Sequence, residues 1–216
     1  MTGDTPSAIQ LNSLTDAFTR ELASLGRLRT YPKNTVFITE GDSSDSVFVI
    51  LSGKVKVFIS DSEGHEMILD MQGPGEYVGE MALDGKPRSA SVMTLEPSTF
   101  AVVAREPIRE AIRRNPDFAL DMISKIIDRA RIATSSVKDL ALLDVYGRVA
   151  RLLLNLSVER DGKLVIPDKI TQQEIAERVG ASRDMVSRIF RDLTAGGYIT
   201  VENRFITINK KPPARW

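Results

Sequence analysis

Short apolar and alternating segments, separated by glycine turns, fill the chain between residues 30 and 104. Segments of this length and pattern are typical of β-strands rather than helices. Glycines such as Gly41, Gly53, Gly64 and Gly75 allow the tight turns between them. Closely spaced short strands predict an antiparallel barrel or sandwich. The predicted strands are VFIT (36–39), SVFVILSG (46–53), KVKVFISD (54–61), EMILDMQG (66–73), SASVMTLE (89–96) and TFAVVA (99–104).

Helical patterns flank this strand-rich region. The segment LNSLTDAFTRELASLG (11–26) predicts one or two short amphipathic helices, and Pro116 is expected to open a long helix that runs to about Leu143. An apolar seam along that helix suits a two-stranded coiled coil between two copies of the chain. The same stripe could instead pack on the barrel of its own chain, and Arg129 beside it could face a ligand or the partner helix. The seam consists of Met122, Ile126, Ala133, Val137 and Leu140.

Two amphipathic helices joined by a glycine turn are predicted from TQQEIAERVGASRDMVSRIFRDLT (171–194). Small Ala176 lets the two helices cross closely, Gly180 allows the sharp turn, and Ser182 is placed to cap the second helix. This is the spacing of a helix-turn-helix, so double-stranded DNA is the first candidate partner. The buried faces comprise Ile175, Ala176 and Val179 in the first helix and Val186, Ile189 and Phe190 in the second.

Polar residues of the second helix cluster toward one side and form a candidate base-reading face. Arg183 and Arg188 can each bind guanine O6 and N7 bidentately in the major groove, and Asp184 can accept a hydrogen bond from cytosine N4. Ser187 and Arg191 lie on the same side. The alternative is a solvated helix face on an ordinary helical hairpin.

A β-hairpin is predicted directly after the second helix. Gly196-Gly197 ends the helix, and YITVENRFITI (198–208) then alternates around a two-residue turn at Glu202-Asn203. A helix-turn-helix followed by a hairpin makes a winged helix, whose wing can rest on the phosphate backbone. The basic residues available for that contact are Arg204, Lys210 and Lys211.

Charge is distributed unevenly along the chain. The whole chain has 29 Lys and Arg against 29 Asp and Glu, whereas residues 145–216 carry 13 against 8. The basic end coincides with the predicted DNA-binding region, which supports that prediction without being sufficient for it.

Composition limits the possible classes of protein. A chain of 216 residues with 42% hydrophobic content can bury one moderate core and one small one, which predicts two domains. No stretch predicts a membrane span and the N-terminus does not resemble a secretory signal, so a cytoplasmic location is expected. The absence of cysteine excludes disulfides, thiolate-held iron–sulfur clusters and thiol redox sensing by this chain. The single histidine, His65, lies in a polar turn without partners for a metal or haem site, so no metal is predicted.

A second candidate site lies in the strand-rich region, where GEMAL is followed after four residues by RSA. A phosphodiester needs a bidentate cation, which Arg88 can supply, and uncovered backbone N–H groups, which a helical turn beginning at Gly79 can supply. Glu80 can accept hydrogen bonds from a ribose hydroxyl, and Ser89 can donate one to phosphate. The alternative is a buried ion pair between Glu80 and Arg88 that closes the barrel end without a ligand. The candidate ligand-binding residues here are Gly79, Glu80, Met81, Ala82, Arg88 and Ser89.

The chain resembles the superfamily of the bacterial catabolite activator and the fumarate-nitrate regulator, from about Leu14 to Ile208. The resemblance rests on the glycine-punctuated strands, GEMAL with RSA, the long helix, LALLDVYGRVARLLLNLS and TQQEIAERVGASRDMVSRIF. It is closest to the cyclic-AMP receptor branch. It implies an α+β fold with a cyclic-nucleotide-binding β-roll of the jelly-roll type (1–115), a dimerisation helix (116–143) and a winged helix-turn-helix domain (144–216). It also implies a homodimeric transcription activator, not an enzyme, that responds to cAMP and touches RNA polymerase.

The resemblance further implies roles for residues of the ligand site. In the receptor branch two adjacent hydroxyls of the long helix face the adenine, whereas the matching pair here is Ala133-Thr134, so that only Thr134 can do this. The loop between Leu83 and Arg88 is also short. The residues that match phosphate and ribose contacts are Gly79, Glu80, Arg88 and Ser89.

For DNA, the resemblance matches base contacts to Arg183, Asp184 and Arg188 and implies a palindrome with TGTGA-like halves. Asp184 stands where the receptor has glutamate, so its cytosine contact has to be closer or water-mediated. The segment ERDGKLVIPDK (159–169) is predicted to be a loop at the position where family members contact the polymerase. The residues that match phosphate or flanking contacts are Thr171, Gln172, Gln173, Ser182, Met185 and Arg191.

Other functions stay open at this point. Because Ala133 replaces a hydroxyl, the same regulator could respond to cyclic di-GMP or another effector, or to none. An enzyme could use Glu80 and Asp84 as an acid–base pair, although Arg88 favours the ionised form of both carboxylates. A scaffold dimer would leave the reading face unused. Loss of sequence-specific DNA binding on Arg183→Ala separates the regulator from the other two classes.

Overall fold

The computed structural model describes residues 4–213, apart from the side chain of Ala82, and divides into two compact units. The first unit comprises the residues up to Asp61 together with Ile68–Ala130, and the second comprises Ser62–Met67 and the residues from Arg131 onward. Within residues 4–213, no helix is both long and apolar enough to cross a membrane.

Two four-stranded sheets make up the strand-rich part of the chain, as the alternating segments predict. Their strands, in chain order, are β1 (Arg27–Tyr31), β2 (Val36–Ile38), β3 (Ser46–Ser52), β4 (Val55–Ser60), β5 (Glu66–Gln72), β6 (Tyr77–Val78), β7 (Ser91–Thr94) and β8 (Ser98–Ala104). The sheet orders are β1-β8-β3-β6 and β2-β7-β4-β5. Phe37 of one sheet contacts Phe48 and Phe100 of the other, with ring centroids 5.1 and 4.7 Å apart, so the core lies between the sheets. The predicted β-roll is confirmed.

Strands β1 and β6 lie outside the segments that the sequence predicts. Strand β1, with the sequence RLRTY, has exposed arginines and lies beside β8 at the sheet edge, so it lacks the apolar pattern of a buried strand. Strand β6 consists only of Tyr77 and Val78, which is too short to show any alternation. Its two residues are nevertheless buried and pair with Val49 and Phe48 of β3.

Helices precede and follow these strands along the chain. They are α1 (Ala8–Asn12), α2 (Ala17–Ser24), α3 (Arg105–Arg114) and α4 (Asp117–Leu142), of which α4 continues into the second unit. The side chain of Asp16 caps α2 by accepting from the Thr19 N–H at 3.0 Å. The rings of Phe18 and Phe118 are 4.8 Å apart and join α2 to α4. Both the short helices and the long helix are therefore confirmed.

The predicted seam of α4 divides into a buried and an exposed part. Met122 is buried with Phe118 in the core of its own unit, which is the alternative packing that the sequence allowed. Further along, Ile126 is 42% exposed and Val137 is 64% exposed. Only this later part of the seam is open to a partner.

The second unit combines three helices with a four-stranded sheet. Its elements are α5 (Val145–Leu156), β9 (Val158–Arg160), β10 (Lys163–Ile166), α6 (Gln172–Val179), α7 (Arg183–Ala195), β11 (Ile199–Glu202) and β12 (Phe205–Ile208). The sheet order is β11-β12-β10-β9. Leu153, Ile175, Val186, Leu193 and Ile206 are among the residues of its core.

Two details of this unit differ from the sequence prediction. Residues 159–169 were expected to form a loop, but β9 and β10 make a hairpin whose turn contains Asp161 and Gly162, both with positive φ. In the wing, Glu202 pairs with Phe205, so the turn is Asn203-Arg204 rather than Glu202-Asn203. Both turn residues have positive φ, as the type I′ hairpin turn requires, and asparagine tolerates that conformation well.

Candidate functional site

A 3-10 helix from Glu80 to Asp84 follows β6 and begins the candidate ligand site of the first unit. Gly79 precedes it with a φ of +88°, a conformation that favours glycine. A Cβ at this position would also lie 2.6 Å from Arg88 Nη1, so only glycine lets the arginine approach the backbone so closely. The predicted helical turn after Gly79 is confirmed.

Arg88 is buried behind this turn, with 5% of its surface exposed. Its guanidinium donates to Gly79 O at 2.5 Å, to Ser44 Oγ at 2.6 Å and to Ser46 O at 2.7 Å. Burial lowers the pKa of Arg88, an effect that the nearby carboxylates oppose. The three hydrogen bonds fix the guanidinium beside the 3-10 helix and use three of its five N–H groups.

Glu80 forms its ion pair with Arg129 of α4, at 2.8 Å, and both side chains are largely buried. Arg129 also donates to Tyr77 O at 2.5 Å and stacks over the Tyr77 ring at 4.5 Å. Burial tends to lower the pKa of Arg129, but the charge and hydrogen bond of Glu80, together with Tyr77 and Asp70, leave that pKa raised. In the described part of the chain Glu80 makes no ion pair with Arg88, so the ion pair of that alternative is not formed. The long helix, rather than the RSA segment, supplies the partner.

The remaining predicted ligand residues are more exposed. Ser89 is exposed and donates to the sulfur of Met81 at 3.2 Å, and Met81 itself is 63% exposed. Ala82 lies in the 3-10 helix. Thr134 lies on α4, exposed, in the part of that helix that belongs to the second unit. Within residues 4–213, no group of three or more His, Asp or Glu side chains could hold a metal ion.

The helix-turn-helix is positioned by caps that the sequence indicates. Thr171 caps α6 by accepting from the Glu174 N–H at 3.1 Å, and Ser182 caps α7 by accepting from the Met185 N–H at 3.2 Å. Gly180 ends α6 in the left-handed conformation, with a φ of +62°. The predicted N-cap and glycine turn are confirmed.

Most polar residues of α7 lie on the surface. Arg183, Asp184, Arg188 and Arg191 are exposed, whereas Ser187 is half-buried. Across residues 4–213, no ion pair or hydrogen bond engages the guanidinium groups of these three arginines. The α7 surface therefore presents uncommitted cations beside a carboxylate. The other residues singled out for DNA contact are exposed or half-buried: Thr171, Gln172, Gln173, Ser182, Met185 and Arg204.

Family models match both units. A model of the cyclic nucleotide-binding domain matches residues 28–115, and a model of the Crp-like helix-turn-helix domain matches residues 147–212. The cAMP-activated global transcriptional regulator CRP of Salmonella typhimurium is 35% identical over 187 residues, which cover 84% of this chain and 89% of that protein. The chain belongs to the CRP/FNR family. It is a DNA-binding transcription regulator with a cyclic nucleotide-binding domain, and since the family is not enzymatic, the enzyme alternative is wrong.

Two other relatives of this CRP/FNR regulator are named for two different effectors. The CRP-like cAMP-activated global transcriptional regulator of Mycobacterium tuberculosis is 31% identical over 212 residues, covering 96% of this chain and 90% of that one. Among solved structures, the c-di-GMP responsive global regulator CLP of Xanthomonas campestris superposes with a TM-score of 0.77 at 26% identity, covering 89% of this chain and 99% of that one.

Three residues around the candidate ligand site are not indicated by the sequence. Ser44 and Ser46 reach Arg88 from 44 and 42 positions away, and Tyr77 lies 52 positions from Arg129. Residues so far apart in the chain form no local sequence pattern, so the sequence does not indicate that they are in contact. A buried arginine does imply acceptors nearby, but not which residues supply them.

Proposed function

We propose that this regulator is a homodimer whose affinity for a palindromic DNA site is controlled by cAMP bound in the first unit. The observation that carries the proposal is the presence of two opposite charges at the 3-10 helix: Arg88, buried behind it, and Glu80, its first residue, with a side chain 9% exposed. A cyclic nucleotide presents a phosphodiester and a ribose hydroxyl, which need a cation and a hydrogen-bond acceptor respectively.

The contacts of these two residues support the assignment. Arg88 is fixed by the backbone of Gly79 and Ser46, and two of its N–H groups are left for the cyclic phosphate. Ser89, next in the chain, adds a hydroxyl donor. Glu80 is held by its ion pair with Arg129, and its carboxylate oxygens can accept a hydrogen bond from the ribose 2′-hydroxyl. Side chains fixed before the ligand arrives lose little conformational entropy on binding. The full set of proposed ligand residues is Gly79, Glu80, Met81, Ala82, Arg88, Ser89, Arg129 and Thr134.

The choice of cAMP rests on the named relatives and on Thr134, whose hydroxyl would meet the adenine. A second effector, cyclic di-GMP, is favoured by one observation: Ala133 removes one of the two hydroxyls that the receptor branch presents to adenine. The Xanthomonas campestris relative is named as responsive to that dinucleotide.

For DNA we propose direct reading by α7. Arg183 and Arg188 would bind guanine in the major groove, and Asp184 would accept from cytosine, within a palindrome of TGTGA-like halves. Arg204, at the tip of the wing, would contact the phosphate backbone. The residues proposed for phosphate or flanking contacts are Thr171, Gln172, Gln173, Ser182, Met185, Ser187 and Arg191.

The dimer would form through α4, because that helix exposes many large apolar side chains and a large exposed apolar patch is typical of an interaction surface. Two copies joined along it would place their reading helices in successive major grooves, about 34 Å apart. We further propose that the regulator is a cytoplasmic activator and that the β9–β10 hairpin meets RNA polymerase. The large apolar residues exposed on α4 include Leu120, Ile123, Ile126, Ile127, Ile132, Val137, Leu140 and Leu142.

Control by the effector would follow from differential affinity. The dimer exchanges between two arrangements, and cAMP binds more tightly to the one whose reading helices match the groove spacing. Moving the population from 1:99 to 99:1 requires about 5.5 kcal/mol of differential affinity, summed over the sites of the dimer.

Calorimetric titration of the nucleotide-free protein with cAMP, and separately with cyclic di-GMP, tests the effector. We expect saturable micromolar binding of cAMP that raises affinity for the palindromic DNA. Binding of the dinucleotide alone would support the second effector, and binding of neither would contradict both. The variant Arg88→Ala should abolish nucleotide-dependent DNA binding, whereas Lys86→Ala, which removes an exposed cation from the same loop, should retain it.

A further inference from the structure

Arg148 of α5 joins three segments of the second unit through one side chain. Its Nε donates to Val179 O at 2.8 Å, its Nη1 to Leu143 O at 3.1 Å and its Nη2 to Gly180 O at 3.3 Å. Leu143 directly follows the last residue of α4, and Val179 and Gly180 end the first helix of the helix-turn-helix. A single guanidinium thus holds the ends of two helices.

Those carbonyls need a donor from elsewhere. The last four carbonyl groups of an α-helix have no partner within the helix, and the C-terminal end of the helix dipole favours a cation. Arg148 meets both needs at two helix ends at once. The rigid fork of five N–H groups makes this possible, whereas a lysine ammonium is a single point that cannot span the same three acceptors.

An apolar contact between Gly180 and Leu140 lies beside these hydrogen bonds. A Cβ built on Gly180 would be 3.6 Å from Leu140 Cδ2, so the turn between α6 and α7 packs beside the last turns of α4. Leu140 supplies nondirectional contact there, and Arg148 supplies the directional hydrogen bonds. By contrast, Arg151, one turn further along α5, pairs with Asp139 of α4 and is not bonded to the helix-turn-helix.

We infer that Arg148 is a positioning residue for DNA recognition: it ties the turn of the helix-turn-helix to the end of α4 and so sets the angle at which α7 projects from α4. Its guanidinium donates to backbone carbonyls of its own unit rather than standing on the reading face of α7. In a dimer joined through α4, which is part of the proposed function, this angle sets the distance between the two reading helices. Arg148 would therefore control which spacing between half-sites is bound, and not which bases are read.

The angle can be measured directly within one chain. The protein contains no cysteine, so spin labels can be attached at Lys138→Cys on α4 and Asp192→Cys on α7, both exposed positions, in protein diluted with unlabelled chains. We expect one narrow distance distribution in the otherwise native protein and a clearly broadened or shifted one in Arg148→Met. The variant Arg148→Lys should lie between them, and Arg160→Gln, which removes an exposed cation from β9 of the same unit, should match the native protein. An unchanged distribution in a folded Arg148→Met would overturn the inference, with or without a dimer.

The consequence for DNA is tested with duplexes that carry two inverted TGTGA-like halves separated by about three to eight base pairs, because half-site centres lie about one helical turn apart. The native protein should prefer one spacing. Arg148→Met should lose about tenfold in affinity there and bind the spacings more evenly, with unchanged discrimination against an altered half-site. Retention of the native spacing preference would contradict the inferred role. Absence of any preference in the native protein would instead contradict the proposed dimer, while the label distances would still decide the role of Arg148.

Discussion

The two candidate sites of this regulator place their charges in opposite environments. In the first unit, Arg88 is 5% exposed and the Glu80 side chain 9% exposed, and each is held by partners from distant parts of the chain. In the second unit, Arg183 and Arg188 lie on the surface and are positioned by the helix that carries them. A buried charge is tolerated only with partners, whereas a solvated charge costs the fold little.

This difference separates what a substitution should damage. At the candidate ligand site, the residues proposed to bind the nucleotide also hold the fold together, so their loss should lower both stability and nucleotide affinity. On the reading face, the same change of residue type should lower DNA affinity alone. Measuring stability and binding side by side therefore tests the comparison at each site.

The largest expected effect is that of Arg88→Ala. Removal of the guanidinium leaves buried acceptors at Gly79 and Ser46 without their donor, and we expect the free energy of unfolding to fall by about 3 kcal/mol. Urea denaturation followed by circular dichroism measures this loss. As a control, Lys86→Ala removes an exposed cation paired with Asp84 and should change stability by less than about 0.5 kcal/mol. Equal stability of the two variants would show that Arg88 does not support the fold.

The reading face should respond in the reverse way. We expect Arg183→Ala to cost about 2 kcal/mol of DNA-binding free energy while the free energy of unfolding stays within about 0.5 kcal/mol of the native value. Competition binding gives the first quantity and denaturation the second. The discriminating control is a duplex in which one guanine of each half-site is replaced: the native protein should lose affinity for it, but the variant should no longer distinguish it from the intact site. A large loss of stability would contradict the proposed independence of the face.

The two sites also differ in how well the sequence predicts them, because one is built within a single segment and the other from distant parts of the chain. The helix-turn-helix is local: its caps, its glycine turn and its buried face all lie within one continuous segment, so periodicity and capping rules predict it. The ligand site is assembled across the barrel. Its motif was recognisable, but the partner of Glu80 proved to be Arg129, which lies 49 residues further along the chain.

The missed elements of the fold have separate physical causes. Strand β1 is an edge strand with exposed arginines, and β6 is too short to alternate, so neither carries a strand pattern. The β9–β10 hairpin is different, because Asp161-Gly162 is a strong signal for a tight hairpin turn and the flanking residues VER and KLVI include apolar positions. That hairpin was predictable from its turn chemistry.

Ser182→Ala tests the local construction of the reading helix. The hydroxyl caps α7, and its loss should lower the free energy of unfolding by about 1 kcal/mol, less than the loss at Arg88 because the cap is exposed. Ser182→Asp, which can still cap, should recover most of that stability. Ser187→Ala, in the middle of the same helix, is the matched control and should be nearly neutral. A Ser182→Ala variant as stable as the native protein would mean that packing alone fixes the start of α7.

The smallest expected effect concerns acid sensitivity at the helix starts. A carboxylate caps α2, as it does α5 of the second unit, whereas hydroxyls cap α6 and α7 of the helix-turn-helix. Burial tends to raise the pKa of Asp16, but hydrogen bonds from Thr19 and the charge of Lys125 outweigh it and leave the pKa lowered. The ionised form therefore stabilises the folded state above the unfolded pKa of about 4, and this contribution disappears as the pH falls through the lower folded value. Because the Asp16 side chain is 40% exposed, we expect its ionisation to contribute less than about 1 kcal/mol to the free energy of unfolding.

The variant Asp16→Asn keeps a capping oxygen without a titrating charge. The stability advantage of the native protein over Asp16→Asn should therefore shrink on acidification below about pH 4, and an advantage that stays constant down to pH 2 would contradict the lowered pKa.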